Sequence, residues 1–347
     1  MRNPLADDLD HVLLHTVDLW DALRGRRLFI TGGTGFFGSW LLESFAWANE
    51  RYKLGARAVV LTRDPKRFET RVPHLAHHPA IEFWRGDVLT FPFGEAPFSH
   101  VIHAATPTAP QAPDRVFGDI VDGTRRVLDF ATHAGAEAFL FTSSGAVYGR
   151  QPSDMSHVPE DYPGGPDPLD PRSAYGEGKR GAEVLCAAHG HQHRVQVKIA
   201  RCFAFVGPYL PLDVHFAVGN FIRDGLRGGP IRITGDGTPH RSYLYAADLA
   251  IWLWTILFRG QPLRPYNVGA AAEVNIRTLA DVVAHTFTPP LQVQRARTET
   301  PGDRPERYVP DVTRAETELG LRALIPLADG IHRTVAWHKG RTTVVGA

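Results

Sequence analysis

The 347-residue chain predicts an α/β fold, a doubly wound parallel sheet with a smaller C-terminal α/β lobe. Short apolar runs alternate with helical stretches from residue 26 onward. The first of those runs, Arg27-Leu28-Phe29-Ile30, leads into the glycine-rich turn Thr31-Gly32-Gly33-Thr34-Gly35-Phe36-Phe37-Gly38. Beyond about residue 206 the alternation breaks into short pieces rich in glycine and proline.

The elements follow in order. In residues 4–24, Leu9, Val12, Leu13, Val17, Trp20 and Leu23 recur at helical spacing and predict one apolar face. Residues 1–25 are therefore read as a helical extension that packs on the body or on a partner subunit. Strands are expected at Leu28–Ile30, Ala58–Leu61, Val101–His103, Phe139–Thr142 and Val195–Ala200, with helices at 38–50, 115–134 and 174–189. Strands separated by helices make a parallel sheet covered on both faces, here over residues 26–205. The connection 151–172 is rich in Pro, Gly and Asp and reads as a loop over the open edge. Residues 206–347 form mainly the smaller lobe, except that Tyr266-Asn267-Val268-Gly269 returns to the main sheet as a strand, within a segment near 264–288.

Composition excludes several classes. Thirty-eight basic residues against 37 acidic give a net charge of +1, which matches neither a nucleic-acid surface nor a polybasic membrane anchor. The most apolar stretch, Leu249 to Phe258, is far shorter than the ~20 residues that span a bilayer, and predicts a buried helix. Cys186 and Cys202 are too few for a disulfide framework, and residues 1–11 are polar and acidic, unlike a secretory signal, so a cytoplasmic protein is expected. The 17 histidines include His74, His77 and His78 beside prolines and His189, His191 and His193 in alternation. No carboxylate or cysteine partner lies at ligand spacing, so solvated loop histidines are expected and no metal.

The chemistry resides in two places. Gly32, Gly35 and Gly38 stand at G-x-x-G-x-x-G spacing between a strand and a helix. Glycine allows the tight turn and the close approach of backbone to a pyrophosphate, and the helix N-terminus offers free N–H groups to it. This makes the sheet Rossmann-type. Tyr175 and Lys179 are one helical turn apart on one face. A lysine near a phenol and a positively charged cofactor favour the phenolate, which can exchange a proton with a sugar hydroxyl or carbonyl. Phe141-Thr142-Ser143-Ser144-Gly145-Ala146-Val147-Tyr148-Gly149 is a strand whose C-terminal edge carries hydroxyls, where ligands of such sheets bind. A serine-capped strand end is the plainer alternative.

With these motifs, Gly86-Asp87-Val88, His103-Ala104-Ala105, Gly235-Asp236-Gly237, Arg241-Ser242-Tyr243 and Asp248-Leu249 stand in one order. From about residue 26 to 325 the chain resembles the extended short-chain dehydrogenase/reductase family, in its nucleotide-sugar epimerase, dehydratase and reductase branch. The resemblance implies Ser144 as the catalytic hydroxyl and Tyr175 as the acid/base. It implies that Lys179 orients the nicotinamide ribose and lowers the tyrosine pKa. Gly32, Gly35, Phe36, Phe37 and Gly38 would hold the cofactor, Asp87 and Val88 would reach the adenine end, and Ala104 and Ala105 would line its wall. Thr106, Asn220 and Arg241 would meet the substrate, Arg241 gripping the diphosphate with Arg304 or Arg307 as a second guanidinium.

Three departures stand out. Ile120, beside Asp119, occupies a usual asparagine place, and so does Ala204, which shifts phosphate contacts toward Asn220. Dehydratases carry an Asp-Glu pair directly after the catalytic hydroxyl, where this chain has Gly145 and Ala146. Elimination of water needs an acid and a base besides the tyrosine, so a 4,6-dehydratase is not expected.

The second strand ends in Thr62-Arg63-Asp64-Pro65, with Lys66 and Arg67 beyond. A guanidinium at that tip suits a 2′-phosphate, so NADP is favoured, with NAD through Asp64 as the alternative. The expected activity is an NADP-dependent reductase of a nucleoside-diphosphate 4-keto-6-deoxy sugar. A 4-epimerase that retains its cofactor and a decarboxylase of a nucleotide-linked uronic acid stand as alternatives, and a non-catalytic cofactor-binding protein is the reading outside enzymology. A homodimer is expected through the helix at 115–134, with Val116, Ile120, Val127 and Phe130 on one side, and the catalytic helix with Ala182, Val184 and Leu185.

Overall fold

A computed structural model describes residues 3–107, 111–214, 216–298 and 304–345, with side chains to residue 340. The first half reads, in chain order, α1 (Ala6–Thr16), β1 (Arg27–Thr31), α2 (Phe36–Tyr52), β2 (Arg57–Thr62), α3 (Pro65–Arg71), α4 (Pro73–Ala76), β3 (Ile81–Arg85), β4 (His100–His103), α5 (Pro113–His133), β5 (Ala138–Ser144), α6 (Ala174–Gln192) and β6 (Gln196–Cys202). The second half reads β7 (Phe205–Val206), α7 (Ala217–Leu226), β8 (Ile231–Ile233), β9 (His240–Ser242), β10 (Leu244–Tyr245), α8 (Ala246–Arg259), β11 (Pro265–Val268), β12 (Glu273–Asn275), α9 (Ile276–Ala284), β13 (Val293–Arg295), β14 (Arg307–Tyr308), α10 (Thr313–Leu319) and α11 (Leu327–Val345).

Seven strands form one sheet in the order β11-β6-β5-β4-β1-β2-β3, and every pairing in it is parallel. The order reverses between β1 and β4, which is where ligands of such sheets bind, outside the C-terminal strand ends. The central strands are apolar on both faces: Leu28, Phe29 and Ile30 are fully buried, as are Phe139, Leu140 and Phe141. One face packs Phe29 among Phe91, Phe98 and Phe130, with α5 and α6 outside it. The other face carries α2 and α8, whose Trp40, Phe45, Trp252 and Trp254 are buried.

The sequence leaves β3 unassigned. Its burial is only partial, because it lies at the sheet edge, so Ile81-Glu82-Phe83-Trp84-Arg85 lacks the continuous apolar run of a central strand. The returning strand is β11, paired to β6 with Asn267 opposite Arg201.

The N-terminal extension lies on the body, not apart from it. α1 packs on α2 and α8, and Leu9, Val12 and Leu13 join the main core. Of the expected apolar face only Val17 fails, at 59% exposed: α1 ends at Thr16, and Trp20 and Leu23 are buried from a short 3-10 turn that follows it. Thr16 Oγ1 donates to the Val12 carbonyl at 2.6 Å and accepts from Trp20 Nε1 at 3.0 Å. Trp20 packs against Trp254 with the rings tilted, 5.0 Å between ring centroids.

The smaller lobe contributes two small sheets, β12-β9-β14 and β13-β8. Its apolar residues Ile231, Leu279 and Val283 belong to the same core cluster as Ile30 and Trp40. Among the described residues no helix is long and apolar enough to cross a membrane, and no cluster of three His, Cys, Asp or Glu side chains could hold a metal.

Candidate active site

The turn after β1 is a glycine cradle. Gly32 has φ of +71°, and a Cβ there would stand 2.4 Å from the Ala104 backbone. A Cβ on Gly38 would stand 2.3 Å from Gly33 Cα. Only glycine fits either place. α2 starts at Phe36 behind this turn with Gly35 as N-cap and no side-chain cap, so the first-turn N–H groups through Phe37 and Gly38 lack a side-chain acceptor. The Arg71 guanidinium, from α3, donates to the Thr34 carbonyl of the same turn.

The opposite wall follows β4. Ala105 N donates to Thr31 Oγ1 at 3.2 Å, and that hydroxyl bonds His103 Nδ1 at 2.6 Å. His103 Nε2 meets Thr124 Oγ1 at 3.2 Å, and Thr124 donates to the Ile120 carbonyl at 2.7 Å. Burial, aided by the nearby Lys179 charge, pulls the imidazole down to about 3, so it is neutral and joins β1, β4 and α5 without a charge. Thr106 Oγ1 is buried with no partner in the protein. A close backbone approach, uncapped helix N–H groups and an orphaned hydroxyl together fit a dinucleotide. Bound there, a nicotinamide dinucleotide supplies reversible oxidation of a sugar carbon.

β5 ends in two serines with different duties. Ser143 Oγ donates to Glu183 Oε1 at 2.5 Å. Glu183 also holds Arg201 through Nε at 3.0 Å and Nη2 at 2.7 Å. Arg201 Nη1 donates to Tyr148 Oη at 2.9 Å, which donates to Asn267 Oδ1 at 2.7 Å. This network ties β5, β6, β11 and α6 together, and it occupies Ser143. Ser144 Oγ accepts from Ala146 N at 3.1 Å and faces the Tyr175 phenol, whose pKa it lowers.

Tyr175 and Lys179 come from the first turns of α6. Lys179 is buried, its Nζ 2.8 Å from the Thr142 carbonyl, 4.8 Å from the Phe141 ring centre and 6.0 Å from that of Tyr175. Burial pulls its ammonium down to about 8. The sequence reading has Lys179 lowering the Tyr175 pKa, but in the protein alone burial holds that phenol above the ordinary tyrosine value, and Ser144 only partly offsets this. The added charge of an oxidised nicotinamide is what remains to favour the phenolate.

Two residues that the sequence reading passed over belong here. Arg71 reaches the glycine turn from a helix of its own. Tyr308, on β14, lies over the end of β5: a Cβ at Gly145 would stand 2.7 Å from its hydroxyl. Ser144 lies near this second phenol too, and Phe203 packs on its ring at 4.7 Å. The available signal was its place directly after Arg307 in a stretch already flagged for substrate contact.

The other expected residues divide. Asp87 follows β3 and its Oδ1 accepts from Leu89 N at 2.9 Å, while Val88 backs onto Gly123. Arg63 is exposed at the tip of β2, and Asp64 is engaged in capping α3 by accepting from Arg67 N at 3.0 Å. Arg241 pairs with Glu306 at 3.2 Å and lies over the Tyr308 ring at 5.9 Å. Arg307 is paired to Glu273, and Arg304 donates to Ser153 Oγ at 3.1 Å. Residues 301–303 of that motif lie outside the described residues. Asn220, on α7, accepts from Arg223 of its own helix at 3.1 Å. Of these arginines, Arg241 is the one the structure brings against the Ser144–Tyr175 group, through Tyr308.

Residues 28–269 match the model of the NAD dependent epimerase/dehydratase family. The chain belongs to that family. UDP-glucuronic acid decarboxylase 2 of Arabidopsis thaliana is 33% identical over 316 residues, 89% of this chain and 67% of that protein. UDP-glucuronic acid decarboxylase 1 of Danio rerio is 29% identical over 90% of this chain and 72% of that one. Among solved structures, DesIV, a dTDP-glucose 4,6-dehydratase from Streptomyces venezuelae solved with NAD, has a TM-score of 0.75 at 24% identity, covering 92% of this chain and 98% of its own. A UDP-glucuronic acid 4-epimerase from Bacillus cereus, also with NAD, has a TM-score of 0.77 at 21% identity, covering 91% and 99%. At those identities the two structures establish the fold alone. The protein is thus an enzyme of the NAD dependent epimerase/dehydratase family, built on a Rossmann-type sheet.

Proposed function

We propose that this enzyme acts on a nucleoside-diphosphate hexuronic acid, oxidised at C4 and released without its C6 carboxylate. The observation that carries this is the run of UDP-glucuronic acid decarboxylases, 31–33% identical over 88–91% of the chain. They favour this reading over the reductase expected from sequence. The chemistry agrees. A C4 ketone stands β to the C6 carboxylate, so carbon dioxide can leave without the acid–base pair that water elimination requires. Gly145 and Ala146 stand where that pair would be.

In this reading Ser144 donates a hydrogen bond to O4, Tyr175 takes the O4 proton and later gives it back, and Lys179 holds the ribose. Arg241 grips the diphosphate. The basic tip of β2 admits a 2′-phosphate, since Arg63 is exposed there and Asp64 is spent on its cap. The enzyme pairs as a homodimer through α5 and α6. Ile120, Val127, Phe130 and Ala182 are buried against the sheet, so the contact falls instead to Phe117 and Val184, 43% and 68% exposed.

The test is incubation of the protein with nicotinamide cofactor and UDP-glucuronic acid. Carbon dioxide release with no net cofactor consumption supports the proposal. Sugar conversion without carbon dioxide would mean an epimerase, and net NADPH oxidation by 4-keto-6-deoxy sugars would restore the reductase.

A further inference from the structure

We propose that Tyr308 is a second proton-transfer residue, which delivers to C5 the proton that replaces the departing carboxylate. This rests on the decarboxylase reading above. The argument is one of position. β14 runs parallel beside β9, with Tyr308 opposite Arg241, and sets the phenol over the C-terminal end of β5. Its ring is fixed between Phe203, at 4.7 Å, and the Arg241 guanidinium, at 5.9 Å. Its hydroxyl reaches the space above Gly145, 2.7 Å from where a side chain would begin. An acidic side chain at 145 and the phenol are therefore alternatives for one volume, since a Cβ there would meet both Tyr308 and Phe203 within 3 Å.

Ser144 is near enough to both phenols to pull each one's pKa down, so three hydroxyls gather at the end of β5. Ser144 and Tyr175 are committed to O4. Tyr308 approaches from the lobe side, next to O4 and so within reach of the adjoining carbon. Burial holds its phenol well above the ordinary tyrosine value, with Ser144 offsetting part of this and Tyr175 adding to it, so it keeps its proton and serves as a donor.

The step balances. The C5–C6 bond breaks, its electron pair remains on C5 as an enolate of the C4 ketone, and carbon dioxide leaves. The Tyr308 O–H bond breaks as C5–H forms, and the phenolate regains a proton from water. Oxidation and re-reduction at C4 cancel over the cycle, so no outside reductant is consumed.

The experiment compares wild type with Tyr308→Phe, as full chains with cofactor and UDP-glucuronic acid in D2O. It reads UDP affinity by calorimetry, carbon dioxide, and deuterium at C5 of the product by NMR. The expected Tyr308→Phe result is UDP affinity within about twofold of wild type and product formation lowered by about 10²-fold. The remaining product should carry deuterium on both faces of C5, where wild type labels one. Tyr308→His, which restores a donor, should recover part of the rate. Tyr308→Phe turning over at more than about a third of the wild-type rate with single-faced labelling would overturn the assignment, given the usual size of such contributions. Loss of UDP affinity in both variants would make Tyr308 a packing residue and overturn it as well. Wild type releasing no carbon dioxide would instead overturn the functional reading and, with it, this role.

Discussion

Lys179→Met should stabilise the cofactor-free protein while abolishing its activity. The lysine is 2% exposed, and its ordinary value of 10.5 is pulled down to about 8 by burial. At about 1.4 kcal/mol per pH unit, holding the charged form costs the fold up to ~3 kcal/mol at pH 7. Methionine has similar length and no charge. It forfeits the 2.8 Å hydrogen bond to the Thr142 carbonyl, worth ~1–2 kcal/mol. The net is a gain of ~1–2 kcal/mol, or a rise of a few degrees in Tm. The gain depends on pH in a definite direction. Between about 8 and 10.5 the unfolded chain binds the proton and the folded one does not, so wild-type stability climbs through that window. The advantage of methionine should therefore be full below about pH 8 and fade as pH approaches 10.5. Urea melts of both proteins without cofactor, at pH 7 and near pH 10, measure it. A variant less stable than wild type at pH 7, or one whose advantage does not change with pH, would refute the claim that a charged lysine is held here against its solvation.

Other expectations follow from the same geometry. Tyr175→Phe should cut turnover at least ~10²-fold while NAD(P) affinity, measured by fluorescence quenching, stays within about twofold, because only the proton carrier is lost. Arg63→Ala should weaken NADPH binding by ~10–100-fold and NADH binding far less, as charge-assisted bonds to a phosphate are worth ~1.5–3 kcal/mol; equal losses would point to NAD. Gly145→Ala should destabilise the protein by ~1–3 kcal/mol in denaturant melts, since its Cβ would meet both Tyr308 and Phe203 within 3 Å, and the combination with Tyr308→Phe should recover part of that loss. Phe117→Glu with Val184→Glu should shift a dimer to monomer in light scattering, with the secondary structure unchanged.

The central fold was legible because its strands are buried on both faces. Leu28–Ile30, Val59–Leu61 and Phe139–Phe141 are unbroken apolar runs, and a parallel sheet covered on both faces buries them completely or nearly so. What failed to show was whatever depends on partners far along the chain. β3 has neighbours on one side only, so its pattern is mixed. The apolar spacing of residues 4–24 continues past the end of α1 at Thr16, because Trp20 and Leu23 are buried too, from a separate 3-10 turn that the pattern does not tell from more α-helix. The proposed dimer face illustrates the same limit. Ile120, Val127 and Phe130 look like an outward stripe in a helical projection, yet a helix lying on this sheet has to spend its best apolar stripe on the sheet itself.

The site was legible where chemistry is local. Tyr175 and Lys179 are one turn apart, and the glycines are within one turn, so spacing alone brings them together. Tyr308 is 133 residues beyond Tyr175 and comes to it only through β14, a strand of two residues held beside β9. No periodicity announces so short an element. The clue lay instead in Gly145, where a side chain was missing from a place that resemblance expected to be acidic. A missing side chain in a packed interior is filled by something, because voids forfeit contacts on every side. Here the space is taken by an aromatic hydroxyl from the smaller lobe. The departure that argued against a dehydratase and the residue that sequence reasoning passed over are thus one packing event, which only the folded chain brings together.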